Sequence, residues 1–338
     1  MKIDEIRSLV KSDKYDFLRN SPLKDHVILL GLGGSYAYGT NNENSDVDIR
    51  GVAVNSKRNI LTGNDFEQVV DVETDTTVYS FDKIVKLLCS CNPNTIEILG
   101  LKPQHYLFTS KAGTELILHR KMFLSKVAVH SFGGYANAQL RRLENKAARL
   151  VTQSQQEKNI LKSIEHASVD FKRRYLERPE DSIKLYIDEA EQEGYDTEIF
   201  MDVVLTHYPL RDYKGLWSEM NTIVKEYGKI GKRNEKAIEH NKLGKHMMHL
   251  VRLYLMCFDI LENEEIITFR EKDHDLLMSI RNGDYLDENR QPIPEFYEMV
   301  NELEKRLDYD KENTSLPDYV NMNEVMDFVA SVNEKVVC

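Results

Sequence analysis

The sequence predicts an α+β protein, in which a small mixed-sheet domain at residues 1–118 precedes an all-α domain at residues 119–338. Two observations support this prediction. Short apolar runs with strand character are confined to the first third of the chain, between turns rich in glycine, asparagine and aspartate. Beyond residue 118, apolar residues recur almost only at helical spacing. The chain has 338 residues, which is enough for two domains with a core each.

The predicted elements of the first domain alternate between helices and strands. An amphipathic helical pattern covers residues 3–19, and Ser80 is placed to cap a later helix, because Ile84 and Leu88 follow it at helical spacing. Predicted strands cover residues 26–31, 47–54 and 69–79. Predicted helices of the second domain cover residues 135–151, 159–175, 182–192, 216–226, 242–262 and 322–332.

Charge and composition restrict the partners. The formal net charge is −11, yet residues 120–178 contain 13 Lys and Arg against 5 Asp and Glu, a local charge of +8. This basic segment is either a polyanion-binding surface or a set of solvated helix faces. We expect a cytoplasmic protein without a membrane partner, because the sequence has no apolar run of about 18 residues, no signal peptide and no cysteine framework for disulfides.

A glycine-rich turn follows the first predicted strand. Residues 33–40 read GGSYAYGT. Glycine lets backbone N–H groups approach an anion closely, and the Ser35 hydroxyl can donate a further hydrogen bond. The sequence therefore predicts that Gly34 and Ser35 bind phosphate. A turn of this composition is also common on protein surfaces, where it binds nothing.

Two aspartates begin the next predicted strand. Alternate side chains share one face of a strand, so Asp46 and Asp48 project together, while Val47 and Ile49 face the core. Paired carboxylates repel each other unless a cation lies between them. Mg²⁺ is usually held by one or two carboxylates together with substrate phosphates. Asp46 and Asp48 are therefore the predicted ligands of Mg²⁺ or Mn²⁺.

Together these motifs resemble the nucleotidyltransferase superfamily that includes DNA polymerase β, whose signature matches Gly34, Ser35, Asp46 and Asp48. The longer sequences GGSYAYGT and SDVDIRG, with NPNTIEIL at residues 92–99 and KHMMHLVRL at residues 245–253, resemble its YcgL-type or RNA-repair-pathway branch. This resemblance implies a polymerase β-like catalytic domain at residues 1–118, a helical substrate-binding domain after it, and NTP as substrate, with ATP the first choice.

Two-metal phosphoryl chemistry requires a third carboxylate beside Asp46 and Asp48. In one continuous strand over residues 69–79, Asp71, Glu73 and Asp75 would share a face. Asp75 is the preferred third ligand, because it directly precedes the residues with the strongest strand propensity. Asp71 and Glu73 remain alternatives, as does an edge strand whose acids face water.

The predicted helix at residues 242–262 carries a polar stripe formed by Lys245, His249 and Arg252. Their spacing places them nearly opposite the apolar face. The stripe is either the solvated side of the helix or a set of nucleotide-binding cations. The resemblance favours the second interpretation, in which they grip the triphosphate or an acceptor phosphate.

The predicted reaction is the transfer of NMP from an NTP to a hydroxyl acceptor, with release of pyrophosphate. The basic segment 120–178 and the resemblance favour an RNA 3′ end as acceptor. One alternative is transfer of AMP to a protein or a small molecule. A second is a nucleotide- or RNA-binding protein without turnover, against which the intact pair Asp46 and Asp48 argues.

Overall fold

A computed structural model of the chain describes residues 1–148, 183–189, 191, 197–204, 206, 207, 209–214, 217, 221, 243–288 and 291–338. The chain forms two compact units. One comprises Met1–Ala138, Met248–Ile280 and Tyr297–Cys338; the other comprises Gln139–Met247 and Arg281–Phe296. The predicted α+β class is confirmed, while the domain boundary after residue 118 stays a prediction.

A mixed five-stranded sheet belongs to the first unit. Its strands are β1 Val27–Leu32, β2 Ile49–Ala53, β3 Gln68–Asp71, β4 Thr76–Ser80 and β5 Tyr106–Thr109. Their order is β3-β4-β2-β1-β5. β2 and β4 run parallel, and the other neighbouring pairs are antiparallel. The edge strand β5 was not predicted from the sequence.

One face of this sheet is covered by the segment that precedes β1. Ile49 and Val78 of the sheet are fully buried and pack with Tyr15, Leu18 and Leu23. Because side chains alternate along a strand, the opposite face of β2 carries Arg50, and Asp48 lies directly before the strand. The hydrophobic core therefore fixes which side of the sheet presents charged groups.

The helices of the described residues are α1 Ile3–Val10, α2 Gly34–Tyr38, α3 Lys57–Thr62, α4 Phe81–Cys89, α5 Pro93–Ile96, α6 Lys111–Leu118, α7 Val127–Ala148, α8 Leu243–Asn263, α9 His274–Asn282, α10 Pro294–Asn313 and α11 Met322–Val337. Ser80 caps α4 as predicted, with its hydroxyl accepting from the N–H of Lys83. The predicted helices at 135–151, 242–262 and 322–332 correspond to α7, α8 and α11. Within the described part of the chain, no helix is long and apolar enough to span a bilayer.

One predicted helix is wrong. Residues 182–192 were expected to be helical, but Ile183–Glu189 form strand β6, which pairs antiparallel with β7, Thr197–Val203. Ile183, Leu185 and Ile187 alternate with polar residues, and this period of two outweighs the helical spacing. The predicted helix at 159–175, and most of the one at 216–226, lie outside the described residues.

Candidate active site

The two aspartates before β2 project away from the core, as predicted. Val47, between them, packs against buried residues of the core, and Ile49 after them has no exposed surface. Asp46 is exposed and Asp48 is half-buried. Asp46 and Asp48 therefore lie outside the hydrophobic core, directly before the start of β2.

Asp48 lies directly against the glycine-rich turn. The N–H of Gly33 donates to the Asp48 backbone oxygen at 2.8 Å. A Cβ atom built on Gly34 would lie 1.7 Å from Asp48 Oδ2, and Gly34 has a φ of +51°. Only glycine combines this positive φ with the space that the carboxylate needs. The turn that the sequence predicts to bind phosphate and the carboxylate that it predicts to bind metal therefore lie in contact with each other.

Ser35 lies in the first turn of α2, next to Gly34 and half-buried. Its backbone oxygen accepts from the N–H of Thr40 at 2.9 Å, which closes the turn after α2. Gly39 ends the helix with a φ of +75°. These contacts fix the backbone of the turn around Ser35.

The expected single strand over residues 69–79 is instead a hairpin of β3 and β4. Asp71, Glu73 and Asp75 therefore do not share one strand face, and that expectation is wrong. Asp71 Oδ2 accepts from the N–H and the hydroxyl of Thr74, at 2.9 and 2.7 Å, and this side-chain turn breaks the strand. Glu73 is exposed in the turn.

Asp75 is the acid that the sheet brings beside Asp48. β2 and β4 are parallel, with Ile49 paired to Thr76, and the N–H of Ile49 donates to the Asp75 backbone oxygen at 3.2 Å. The preceding residues, Asp48 and Asp75, are therefore neighbours across the two strands. Asp75 has a φ of +45° and its side chain is 58% exposed. This register supports Asp75 over Asp71 and Glu73.

Arg50, two residues after Asp48, belongs to the same site, although the sequence pattern alone did not identify it. Its Nη1 donates to the Asp75 backbone oxygen at 2.9 Å and to Asp75 Oδ1 at 3.4 Å. The alternation of Asp46, Asp48 and Arg50 was the signal that could have identified it. The candidate site therefore contains a fixed cation as well as carboxylates.

A cluster of three buried side chains and one half-buried side chain, here called the Glu97 cluster, consists of Glu97, Tyr38, Arg252 and the half-buried His249. The Tyr38 hydroxyl donates to Glu97 Oε2, and the Arg252 guanidinium lies 3.4 Å from the centre of the Tyr38 ring. Arg252 Nη2 lies 2.7 Å from His249 Nδ1, and this nitrogen must accept because a guanidinium only donates. Tyr38 ends α2, so the cluster connects the helix of the glycine-rich turn to α8.

Burial raises the pKa of the Glu97 carboxyl, and the Arg252 charge, the Tyr38 hydrogen bond and the Arg50 charge oppose that rise. Burial likewise raises the pKa of the half-buried Tyr79, and the Arg50 charge opposes it. Arg50 thus acts electrostatically on both groups. The motif around Glu97 was noticed in the sequence, but its burial depends on contacts with residues far away in the chain.

The predicted polar stripe on α8 is not uniformly solvated. Lys245 is exposed and His249 is half-buried, whereas Arg252 is only 8% exposed. The solvated interpretation of the stripe does not hold at Arg252, because from Met247 onward α8 is covered on several sides. Met248, Leu253, Met256 and Cys257 are buried in addition to the predicted apolar face. The nucleotide-binding roles of Lys245, His249 and Arg252 stay predictions.

Within the described residues, no three His, Cys, Asp or Glu side chains lie close enough together to hold a metal by themselves. The pair Asp46 and Asp48 nevertheless fits Mg²⁺, because that ion commonly takes one or two carboxylates and completes its shell with phosphate oxygens and water. The position of Asp48 against Gly34 places such a carboxylate where phosphate would bind.

A glycine-rich turn after the first strand, with aspartates entering the neighbouring strand of a mixed sheet, defines a polymerase β-like nucleotidyltransferase. Comparison with family models gives the same class: the model of the RNA repair pathway DNA polymerase beta family, RlaP, matches residues 10–325. The chain belongs to this family. No curated protein and no solved structure matches the chain.

Proposed function

We propose that the protein is a metal-dependent nucleotidyltransferase, which transfers NMP from an NTP to a hydroxyl acceptor and releases pyrophosphate. The observation that carries this proposal is the contact between the Asp48 carboxylate and Gly34. It joins a phosphate-binding turn to a metal-binding carboxylate, and nucleotidyl transfer needs both at one place.

In this proposal, Gly34 and Ser35 bind the β- and γ-phosphates through backbone N–H groups and a hydroxyl. Asp46 and Asp48 would hold Mg²⁺ or Mn²⁺, with Asp75 as the third carboxylate. The bound ion would supply Lewis-acid stabilisation of negative charge on the phosphates. The protein's own contribution is to orient the α-phosphorus toward the acceptor hydroxyl.

Asp75 is the nearest candidate for orienting the acceptor. Its carboxylate is 58% exposed and can accept a hydrogen bond from an incoming hydroxyl. When that oxygen attacks the α-phosphorus, its proton passes to the Asp75 carboxylate, the new phosphodiester bond forms, and the bond to the bridging oxygen of pyrophosphate breaks. Lys245 is exposed and remains a proposed phosphate ligand.

An RNA 3′ end is the proposed acceptor, and ATP is the first nucleotide to test. The family description refers to RNA repair, and the basic segment 120–178 offers cations for a polyanion. Of this segment, residues 120–148 belong to the described chain. The cysteines of the described residues are free thiols, which supports the reducing cytoplasm as the compartment.

Incubation with each labelled NTP, Mg²⁺ and mixed RNA separates the candidate functions. We expect label in RNA together with stoichiometric pyrophosphate. Label in protein or in a small molecule would instead favour AMP transfer to those acceptors. ATP binding without pyrophosphate release, whatever the acceptor, would contradict the enzyme and leave a binding protein.

A further inference from the structure

Arg50 lies across the glycine-rich turn that the proposed function assigns to phosphate. Its Cγ atom is 3.3 Å from the position that a Cβ on Gly33 would occupy, and Asp48 Cβ is equally close to the same position. The side chain is 24% exposed. The stems of Asp48 and Arg50 thus cover the backbone of the turn together, and their charged ends belong to the same site.

The Arg50 guanidinium is held in a defined orientation. Nη1 donates to the backbone oxygens of Ile49 and Asp75, at 3.0 and 2.9 Å, and to Asp75 Oδ1 at 3.4 Å. Two of these three acceptors are main-chain oxygens, one in β2 and the other directly before β4. The position of the cation is therefore set by the sheet and does not depend on the Asp75 carboxylate alone.

A cation in this position has opposite effects on the two ligands of the proposed reaction. It repels a divalent metal at Asp48 and Asp75 and neutralises part of the carboxylate charge that such an ion needs. It attracts a phosphate group at the turn, where the planar guanidinium can form charge-assisted hydrogen bonds. Metal binding and phosphate binding should therefore respond in opposite directions to its loss.

We infer that Arg50 is a substrate-binding residue, whose guanidinium binds a phosphate group of the NTP while the Asp75 carboxylate passes from Arg50 to the metal. This inference rests on the proposed function and adds to it a protein cation for the triphosphate. Arg50 would then keep the acids of the site partly neutralised before substrate arrives and compensate phosphate charge afterwards.

The test measures two binding equilibria without turnover, on Arg50→Gln and Arg50→Lys. Mn²⁺ binding is followed by electron paramagnetic resonance without nucleotide, and ATP binding by calorimetry at saturating Mn²⁺. For Arg50→Gln we expect Mn²⁺ to bind severalfold more tightly and ATP about tenfold more weakly. Arg50→Lys keeps the charge but not the planar fork, so its ATP affinity should lie between those of the parent and Arg50→Gln.

Arg19→Gln is the matched control, because Arg19 also pairs with an aspartate, Asp16, on the surface. It should change neither equilibrium. If Arg50→Gln lowers the affinities for Mn²⁺ and ATP equally, Arg50 has a structural role and the inference is overturned. An unchanged affinity for ATP would also overturn it. Unfolding by urea shows whether each variant is folded under the binding conditions.

The Asp75→Asn variant tests whether the Asp75 carboxylate contributes to metal binding without being needed for phosphate binding by Arg50. It removes the carboxylate but leaves the main-chain acceptors of Arg50 in place. Mn²⁺ should bind more weakly, while ATP affinity at saturating Mn²⁺ stays within about threefold of the parent. A tenfold loss of ATP affinity would contradict the assignment of phosphate binding to Arg50. If the parent binds both ligands but releases no pyrophosphate with any acceptor, the proposed reaction fails and the binding data still decide the role of Arg50.

Discussion

The guanidinium of Arg252 stacks on the ring of Tyr38, 3.4 Å from its centre, while the Tyr38 hydroxyl donates to the buried carboxylate of Glu97. Arg252 comes from α8 and Tyr38 from the end of the helix that begins with the glycine-rich turn. The cationic side chain thus joins two segments far apart in the chain. Its charge also opposes the rise in the Glu97 pKa that burial causes.

Replacing Arg252 with alanine should destabilise the fold, because it leaves the Glu97 charge uncompensated and exposes the Tyr38 ring. We expect a loss of about 2–4 kcal/mol in the free energy of unfolding, measured by urea denaturation. Lys245→Ala, on the exposed part of the same helix, should change it by less than about 0.5 kcal/mol. Equal effects of the two variants would contradict the structural role of Arg252.

Replacing Gly34 with alanine should lower activity about a hundredfold by displacing Asp48. The added Cβ would lie 1.7 Å from the Asp48 carboxylate oxygen, so the carboxylate must move by more than 1 Å. A displacement of this size can cost about a hundredfold in rate. The measurement is pyrophosphate release at saturating NTP and Mg²⁺.

Gly63→Ala is the matched control for backbone strain. Gly63 has a φ of +63°, but a Cβ there meets nothing within 4 Å. It should lose about 1–2 kcal/mol of stability and keep parental activity. If both glycine variants were equally active, the contact between Gly34 and Asp48 would have no catalytic meaning.

The third carboxylate can be tested with Asp75→Asn, Asp71→Asn and Glu73→Gln. We expect one large loss of turnover, at Asp75, because only this acid is placed beside Asp48 by the pairing of β2 and β4. Asp71→Asn should mainly lower stability, by about 1 kcal/mol, through the weakened turn at Thr74. A larger catalytic loss at Asp71 or Glu73 would contradict the register argument.

The acid pair between α8 and α10 predicts a pH dependence of stability. Asp310 is 6% exposed, and burial, a hydrogen bond with Glu262 and the Glu262 charge raise its pKa to about 6, while Arg306 opposes the rise. Because the folded state then binds a proton that the unfolded state has lost, the free energy of unfolding should fall as pH rises from about 4 to about 6. The expected fall is on the order of 1–3 kcal/mol.

The Asp310→Asn variant should remove most of that slope and be at least as stable as the parent at pH 7.5, because it carries no charge to bury. Urea denaturation across the pH range measures both effects. An unchanged slope in the variant would assign the titration to other groups.

The sequence pattern alone predicts how side chains are arranged where all the residues concerned belong to one short segment. Gly34, Ser35, Asp46 and Asp48 lie within one turn and one strand entry, and alternation with Val47 and Ile49 fixed which way the aspartates point. The pairing of β2 and β4 supports Asp75 as the neighbour of Asp48. The sequence pattern did not show the turn at Thr74 that breaks the expected strand, because that turn depends on side-chain hydrogen bonds. The catalytic role of Asp75 stays a prediction.

The sequence pattern fails for residues whose surroundings depend on contacts with distant parts of the chain. A helical wheel of α8 places Arg252 opposite the apolar residues, but burial depends on what covers each side, and Tyr38 covers Arg252 from the other end of the chain. The sequence does not identify Arg50 as a site residue, because its hydrogen bond to the Asp75 backbone oxygen, directly before β4, forms only once β2 and β4 pair.

The most direct test of the proposed function is pyrophosphate release from NTP and Mg²⁺ by Asp48→Asn, beside Asp46→Asn and the surface control Asp16→Asn. The Asn variants keep the side-chain shape but remove the charge that would hold the metal, at a cost of several kcal/mol in the transition state. We expect turnover to fall at least about a thousandfold in both site variants, with stability unchanged and Asp16→Asn at the parental rate. Near-parental turnover by Asp48→Asn, with metal present, would contradict the assignment of this site to nucleotidyl transfer.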